Sequence, residues 1–166
     1  MSAFTPVTGI ITNIEYLRGT GNPVNDCTIL FTLEGENPPG AFQVQLPANA
    51  YVLNLHPFQA GDRATFFYDA NAPMVLSYPP RYTAVAGAYT PHGTSAMLDQ
   101  FHDDLSTSDR SLKLNLAWNT PITLPNGQPF QGDLSNRLLL VLYSMTTRSI
   151  PPQTTPEQVV VFCQYQ

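Results

Sequence analysis

Three observations predict an all-β protein built of two related small antiparallel β-barrels in tandem. Apolar and polar residues alternate with period two through much of the chain. Turn formers, 16 prolines and 10 glycines in 166 residues, interrupt that alternation at short intervals. The second half also repeats the order of segments found in the first.

The strands follow from the alternation. In CTILFTL, Cys27, Ile29, Phe31 and Leu33 share one face, and Thr28, Leu30 and Thr32 the other. In FQVQL, Phe42, Val44 and Leu46 oppose Gln43 and Gln45. In DRATFFYD, Ala64, Phe66 and Tyr68 oppose Arg63, Thr65 and Phe67. In LKLNL, Leu112, Leu114 and Leu116 oppose Lys113 and Asn115. These read as half-buried antiparallel strands. RLLLVLY (137–143) and QVVVFC (158–163) are apolar without alternation, and their β-branched content with flanking prolines predicts strands buried on both faces. Between strands lie RGTGNPVND, EGENPPG, LPNGQP and SIPPQTTPE, where glycine supplies positive φ and proline presets φ. One segment has two readings. Leu98, Phe101 and Leu105 fall at i, i+3 and i+7 behind Ser95, which suits a short capped helix over 95–105, and an irregular strand fits as well.

The halves align with two gaps. Leu46 and Asn49 recur as Leu116 and Asn119, Phe58 as Phe130, Asp62 as Asp133, Tyr68 as Tyr143, and Pro79-Pro80 as Pro151-Pro152. A five-stranded unit of about 80 residues closes into a barrel and hides its strand edges. The expected domains are therefore residues 1–88 and 89–166, with 88–97 as the junction, and one compact body is the alternative arrangement.

Composition excludes several function classes. Charged residues are 11% of the chain, against roughly 25% in an ordinary soluble domain, and the net charge is −5. The apolar share is too high for a disordered tail, and the acidity argues against a general nucleic-acid binder. No apolar run is long enough to cross a membrane as a helix, so no membrane insertion is expected. The N-terminus lacks a basic, then apolar, leader, which predicts a cytoplasmic chain. Cys27 and Cys163 are expected to be two buried thiols, with a disulfide between them as the alternative.

No chemistry-bearing cluster stands out. His102-Asp103-Asp104 offers three ligand types in a row, but successive side chains diverge, and a solvated turn is the simpler expectation. CxxC, HxH, HExxH and GxSxG spacings are absent. Neither a metal nor a cofactor is expected, and an enzyme is not the favoured reading.

The proline loops are the strongest remaining feature. Residues 69–82 carry Asp69, Pro73, Tyr78, Pro79, Pro80, Arg81 and Tyr82, and residues 144–156 carry Arg148, Pro151, Pro152 and Pro156. Proline lowers the entropy lost on ordering a loop, so both should be shaped before a partner arrives. A cis bond before Pro79 is one way to shape the first. Tyr68, Tyr78, Arg81, Tyr82, Tyr143 and Arg148 are the candidate binding residues, because Tyr and Arg dominate interface hot spots. The competing expectation is that the loops plug the barrel ends, with Tyr78 and Tyr82 buried.

FFYDANAPMVLSYPPRY, NGQPF and RLLLVLYSMTTRSIPPQTTPEQVVVFC together resemble an uncharacterised family of tandem small β-barrel proteins from Gram-positive bacteria. The specific stretches are YDANAP, YPPRY and TTRSIPPQTTP. The resemblance implies OB-like barrels and, through relatives that carry stalk-type domains, leaves cell-surface association open. It implies no activity and no catalytic residue. The expected function is a non-catalytic binding or assembly module for a protein or glycan partner, with homo-oligomerisation compatible. The alternatives are an OB-like binder of single-stranded nucleic acid, for which one Lys and six Arg are a poor supply of cations, and a hydrolase with an unrecognised site.

Overall fold

A computed structural model describes residues 3–18, 21, 25–74 and 76–163. The described chain is all-β and divides into two compact units, Phe4–His92 and, from Gly93 onward, a second.

The first unit is a closed barrel. Its strands are β1 (Phe4–Tyr16), β2 (Ile29–Asn37), β3 (Pro39–Leu46), a short β4 (Tyr51–Val52), β5 (Arg63–Asp69) and β6 (Arg81–Tyr89). β1 pairs antiparallel with both β2 and β5, β2 with β3, and β5 with β6. A parallel pairing of β3 with β6 closes the ring, and β4 adds to β6, also in parallel. The length of β1, 13 residues, lets it serve two neighbours. It turns from one to the other through register shifts at Thr8/Gly9 and Ile11/Asn13, the local kinks by which a strand bends around a barrel. Gly9 is needed at the bend, because a Cβ there would lie 2.5 Å from the Glu34 carbonyl oxygen.

Alternation aims Val7, Ile11, Phe31, Leu33, Phe42, Val44 and Phe66 into one core. Phe31 and Phe66 stack with ring centroids 5.5 Å apart, and Gly87 leaves room for the Phe66 ring, which a Cβ would meet at 2.7 Å. Gln43 and Gln45 stay on the outer face of β3, as FQVQL predicts. DRATFFYD departs from expectation. Ala64, Thr65, Phe66 and Phe67 are all buried, so β5 is covered on both faces rather than half-buried. The hydroxyl of Thr65 makes this tolerable by bonding the hydroxyls of Thr8 at 3.0 Å and Thr90 at 2.9 Å.

The second unit contains β7 (Ser95–Phe101), β8 (Lys113–Leu114), β9 (Ile122–Thr123), β10 (Arg137–Tyr143), β11 (Gln153–Thr154) and β12 (Gln158–Phe162). One sheet runs β7-β10-β12-β9, and β8 pairs with β11. Phe101, Leu112, Leu114, Leu139, Val141, Val159 and Val161 are buried together in its core. β10 and β12 are buried on both faces, as their unbroken apolar runs predict. LKLNL yields only the two residues of β8, and Leu116 is exposed.

Segment 95–105 is a strand and then a turn. β7 pairs with β10 along its whole length, and apolar residues fall on both of its faces, which imitates helical spacing. Leu105 has φ of 62° and ends the turn instead of extending a helix. The cysteines also differ from expectation. Cys27 is exposed, because β2 begins only at Ile29 and Cys27 ends a 3-10 turn, while Cys163 is half-buried, and no disulfide joins them.

The hydrogen-bonding schemes of the two units run in parallel. β5 bonds β1 and β6 as β10 bonds β7 and β12, each pair antiparallel. β4 adds to β6 as β9 adds to β12, and β3 to β6 as β8 to β11, all parallel. Tyr68 lies on the core-facing side of β5 with Ala64 and Phe66, and Tyr143 on the core-facing side of β10 with Leu139 and Val141.

Candidate functional site

The first proline loop joins β5 to β6 and is fastened at both ends. At its start, Asp69 Oδ1 accepts from the Asn71 amide at 2.9 Å and the Asp69 carbonyl from the Ala72 amide at 3.1 Å, an aspartate turn of the kind short polar side chains favour. At its end, the Ser77 hydroxyl donates to the Pro79 carbonyl at 3.2 Å, and the Pro80 carbonyl accepts from the Gln43 amide at 2.8 Å. The Tyr78-Pro79 bond is cis, as expected; Asn37-Pro38 and Ile150-Pro151 are cis as well. Val75, inside the loop, lies outside the described residues.

Between anchors so placed, the loop turns its apolar side chains outward. Tyr78 is 97% exposed and Leu76 96%, and Met74 is exposed beside them. The expectation of Tyr78 as a plug therefore fails: Ser77, Pro79 and Pro80 hold the backbone against the barrel, and the ring projects into solvent. Tyr82 is different. It is half-buried, meets Phe42 edge-on at 5.7 Å and lies against Tyr68 at 4.8 Å. Burial, and then the neighbouring Tyr68, push its hydroxyl above the ordinary tyrosine range.

The loop overhangs a groove of about 580 Å³ on the outer face of the barrel. The groove floor comes from the parallel pair. Arg81 Nε and Nη2 donate to Gln43 Oε1 at 3.1 and 2.9 Å, and the Thr83 hydroxyl donates to Gln45 Oε1 at 3.2 Å. Tyr68, Arg81, Gln45, Thr83 and Asp69 line it together with apolar surface from Pro73, Met74 and Val85.

Of the candidate residues, the structure thus brings Tyr68 and Arg81 to the groove, packs the Tyr82 ring against that of Tyr68, and puts Tyr78 on the exposed loop. Tyr143 and Arg148 belong to the second unit. There Tyr143 is half-buried against the core, and burial raises its hydroxyl's pKa. Arg148 and Ile150 are exposed on the β10–β11 loop, Ile150 at 99%. That loop has the same fastening as the first. The Ser149 hydroxyl donates to the Pro151 carbonyl at 2.8 Å, and the Pro152 carbonyl accepts from the Lys113 amide at 2.9 Å.

Gln45 and Thr83 are groove residues outside the proline loops, and Asp69, the first residue of the loop, joins them although it is not among the candidate binding residues. The alternation in FQVQL did place Gln45 on the outer face; what it lacked was the partner strand.

The remaining polar clusters have structural explanations. His102-Asp103-Asp104 forms a turn in which Asp104 Oδ1 accepts from the Ser106 hydroxyl at 2.6 Å and its amide at 3.1 Å. Among the described residues no three His, Cys, Asp or Glu side chains come together to hold a metal ion. His56 Nε2 lies 2.9 Å from Asp62 Oδ2, and its ring stacks on Tyr89 at 4.4 Å, pinning the connection between β3 and β5. Arg137 bonds the Asp133 carbonyl and lies 5.2 Å from the centroid of the Phe130 ring. Among the described residues, no helix is long and apolar enough to cross a membrane.

Comparison with protein-family models, with curated proteins and with solved structures finds no match to the chain.

Proposed function

We propose that this chain is a non-catalytic binding or assembly module for a protein or glycan partner, and that the β5–β6 loop with the groove beside it is its contact surface. The observation that carries this reading is the loop itself. It holds Leu76 and Tyr78 almost wholly in solvent while proline and four hydrogen bonds fix its ends. Exposing two large apolar side chains on a rigid support has no benefit to folding, and such residues commonly anchor interfaces.

The strand order supports an OB-like reading of the first unit. Counting its five long strands in chain order, they pair 1-2-3-5-4-1 with a parallel closure, and barrels of that kind use the neighbouring loops to bind oligomeric ligands. The shared pairing scheme, with the same fastening of Pro80 to Gln43 and Pro152 to Lys113, supports reading the chain as an internal duplication. The resemblance to Gram-positive tandem-barrel proteins is consistent with both.

Single-stranded nucleic acid is the second reading, favoured by the same strand order. Against it, Arg81 and Asp69 both line the groove, so the formal charges of its described lining cancel.

The test is capture from the native host's lysate and cell-wall fraction, with Leu76→Ser/Tyr78→Ser as control. A partner retained by the native chain and lost by the variant, at unchanged melting temperature, is expected. Capture indifferent to the loop overturns the surface assignment. Salt-dependent binding of oligonucleotides would support the second reading instead.

A further inference from the structure

We infer that the groove beneath the β5–β6 loop is a site for a neutral oligosaccharide. The inference deepens the binding-module reading above and rests on it.

The closed ring narrows the ligand first. β3 is bonded to β2 on one side and β6 on the other, and β6 to β3 and β5. β6 joins β5 only from Ala84 onward, so under the groove it has a single partner strand over Arg81–Thr83, and three residues give an extended peptide few main-chain bonds. Recognition then falls mainly to side chains.

Those side chains are planar and polar with capacity to spare. Two of the five Arg81 N–H donors are taken by Gln43, which holds the guanidinium plane in place and leaves the others for a ligand. Gln45 accepts from Thr83 at Oε1, which orients its amide NH2 as a donor. Asp69 commits one carboxylate oxygen to the Asn71 amide and keeps the second as an acceptor. The remaining guanidinium donors lie side by side, and the Gln45 NH2 and the second Asp69 oxygen add a donor and an acceptor, a set that matches adjacent hydroxyls on a sugar ring. The apolar surface of Pro73, Met74 and Val85 suits the C–H faces of the same ring.

Charge then selects among polar ligands. One cation and one anion line the groove, in a chain of net charge −5, so a phosphodiester or polyanionic chain gains little there. The volume, about 580 Å³, lies within the usual range for a small-ligand site. The floor is held by hydrogen bonds, so little ordering entropy opposes binding there.

The experiment titrates the full chain with maltohexaose, cellohexaose, mannohexaose and chitohexaose, each to on the order of 10 mM, followed by calorimetry and amide NMR. An oligo-dT of similar length is run in parallel. At least one sugar is expected to bind and to shift the amides of Gln45, Asp69 and Arg81 through Val85. Gln45→Ala and Arg81→Ala should each weaken it by tenfold or more without lowering the melting temperature. The absence of groove shifts with every sugar, or groove shifts with oligo-dT alone, overturns the inference. If no sugar binds while loop-dependent capture persists, the glycan assignment falls and the binding-module reading stands. If both fail, both fall.

Discussion

Arg63 holds Glu36 across the barrel wall with a two-pronged grip. Nε reaches both carboxylate oxygens at 3.0 and 3.1 Å, Nη2 reaches Oε2 at 3.0 Å, and Nη1 turns inward to the Thr90 carbonyl at 2.7 Å. The pair fastens the start of β5 to the end of β2, two strands that are not neighbours in the sheet but both flank β1. The Arg63 side chain is 17% exposed and that of Glu36 41%, so the two substitutions should differ. Arg63→Ala removes the inward bond as well and is expected to cost roughly 1.5–3 kcal/mol, as for bonds involving a charged group. Glu36→Gln keeps the shape at a solvated site and should cost less than about 1 kcal/mol. Urea unfolding of the two variants measures the difference; equal losses would show that the inward bond contributes nothing.

Acid should destabilise the protein from about pH 4 downward. Four carboxyls are held below their ordinary range: Glu36 by the Arg63 hydrogen bonds, Asp104 by the Ser106 hydroxyl, Asp109 by the Ser111 hydroxyl and Asp133 by the Ser135 amide. A folded pKa below the unfolded one means that the unfolded chain binds protons first. The stabilisation is thus fully present above the unfolded values, about 3.9–4.3, and is lost as pH falls through the folded ones. Urea midpoints between pH 7 and 2.5 should stay level at first and then drop. Asp109→Asn should start lower and fall less steeply. A midpoint that drops between pH 7 and 5 would place the titrating group elsewhere.

Core and loop aromatics should respond oppositely to truncation. Phe66 is buried and stacked on Phe31, so Phe66→Ala is expected to cost about 3–5 kcal/mol. Tyr78, which is solvent-exposed, should tolerate alanine within about 0.5 kcal/mol. Thermal melts of the two variants check this, and a large loss for Tyr78→Ala would return its ring to the core.

The candidate surface was legible in the sequence only where local chemistry carried it. Proline spacing with Tyr and Arg marked the 69–82 loop, and Tyr68, Arg81 and Tyr82 do converge beside it. Whether the Tyr78 ring entered the barrel or left it had no local signature. Its direction depends on where Ser77 and Pro80 are tied, and one of those ties is to Gln43, 35 residues earlier in the chain.

The sequence by itself determined that the chain is all-β and which way most side chains point. Period-two patterning is a property of neighbouring residues, so Phe42, Val44 and Leu46 turn inward and Gln43 and Gln45 outward whatever strand lies beside them. Unbroken apolar runs likewise determined that β10 and β12 are covered on both faces. Only the tertiary structure decided that β5 is buried twice over, that Ser95–Phe101 is a strand, and that β3 closes on β6. The reason is that burial on a second face and the choice of a parallel partner come from chain closure, which joins residues such as Gln43 and Arg81 with no local pattern to announce it. That pairing sets Gln45 beside Arg81 and Thr83 in the groove floor.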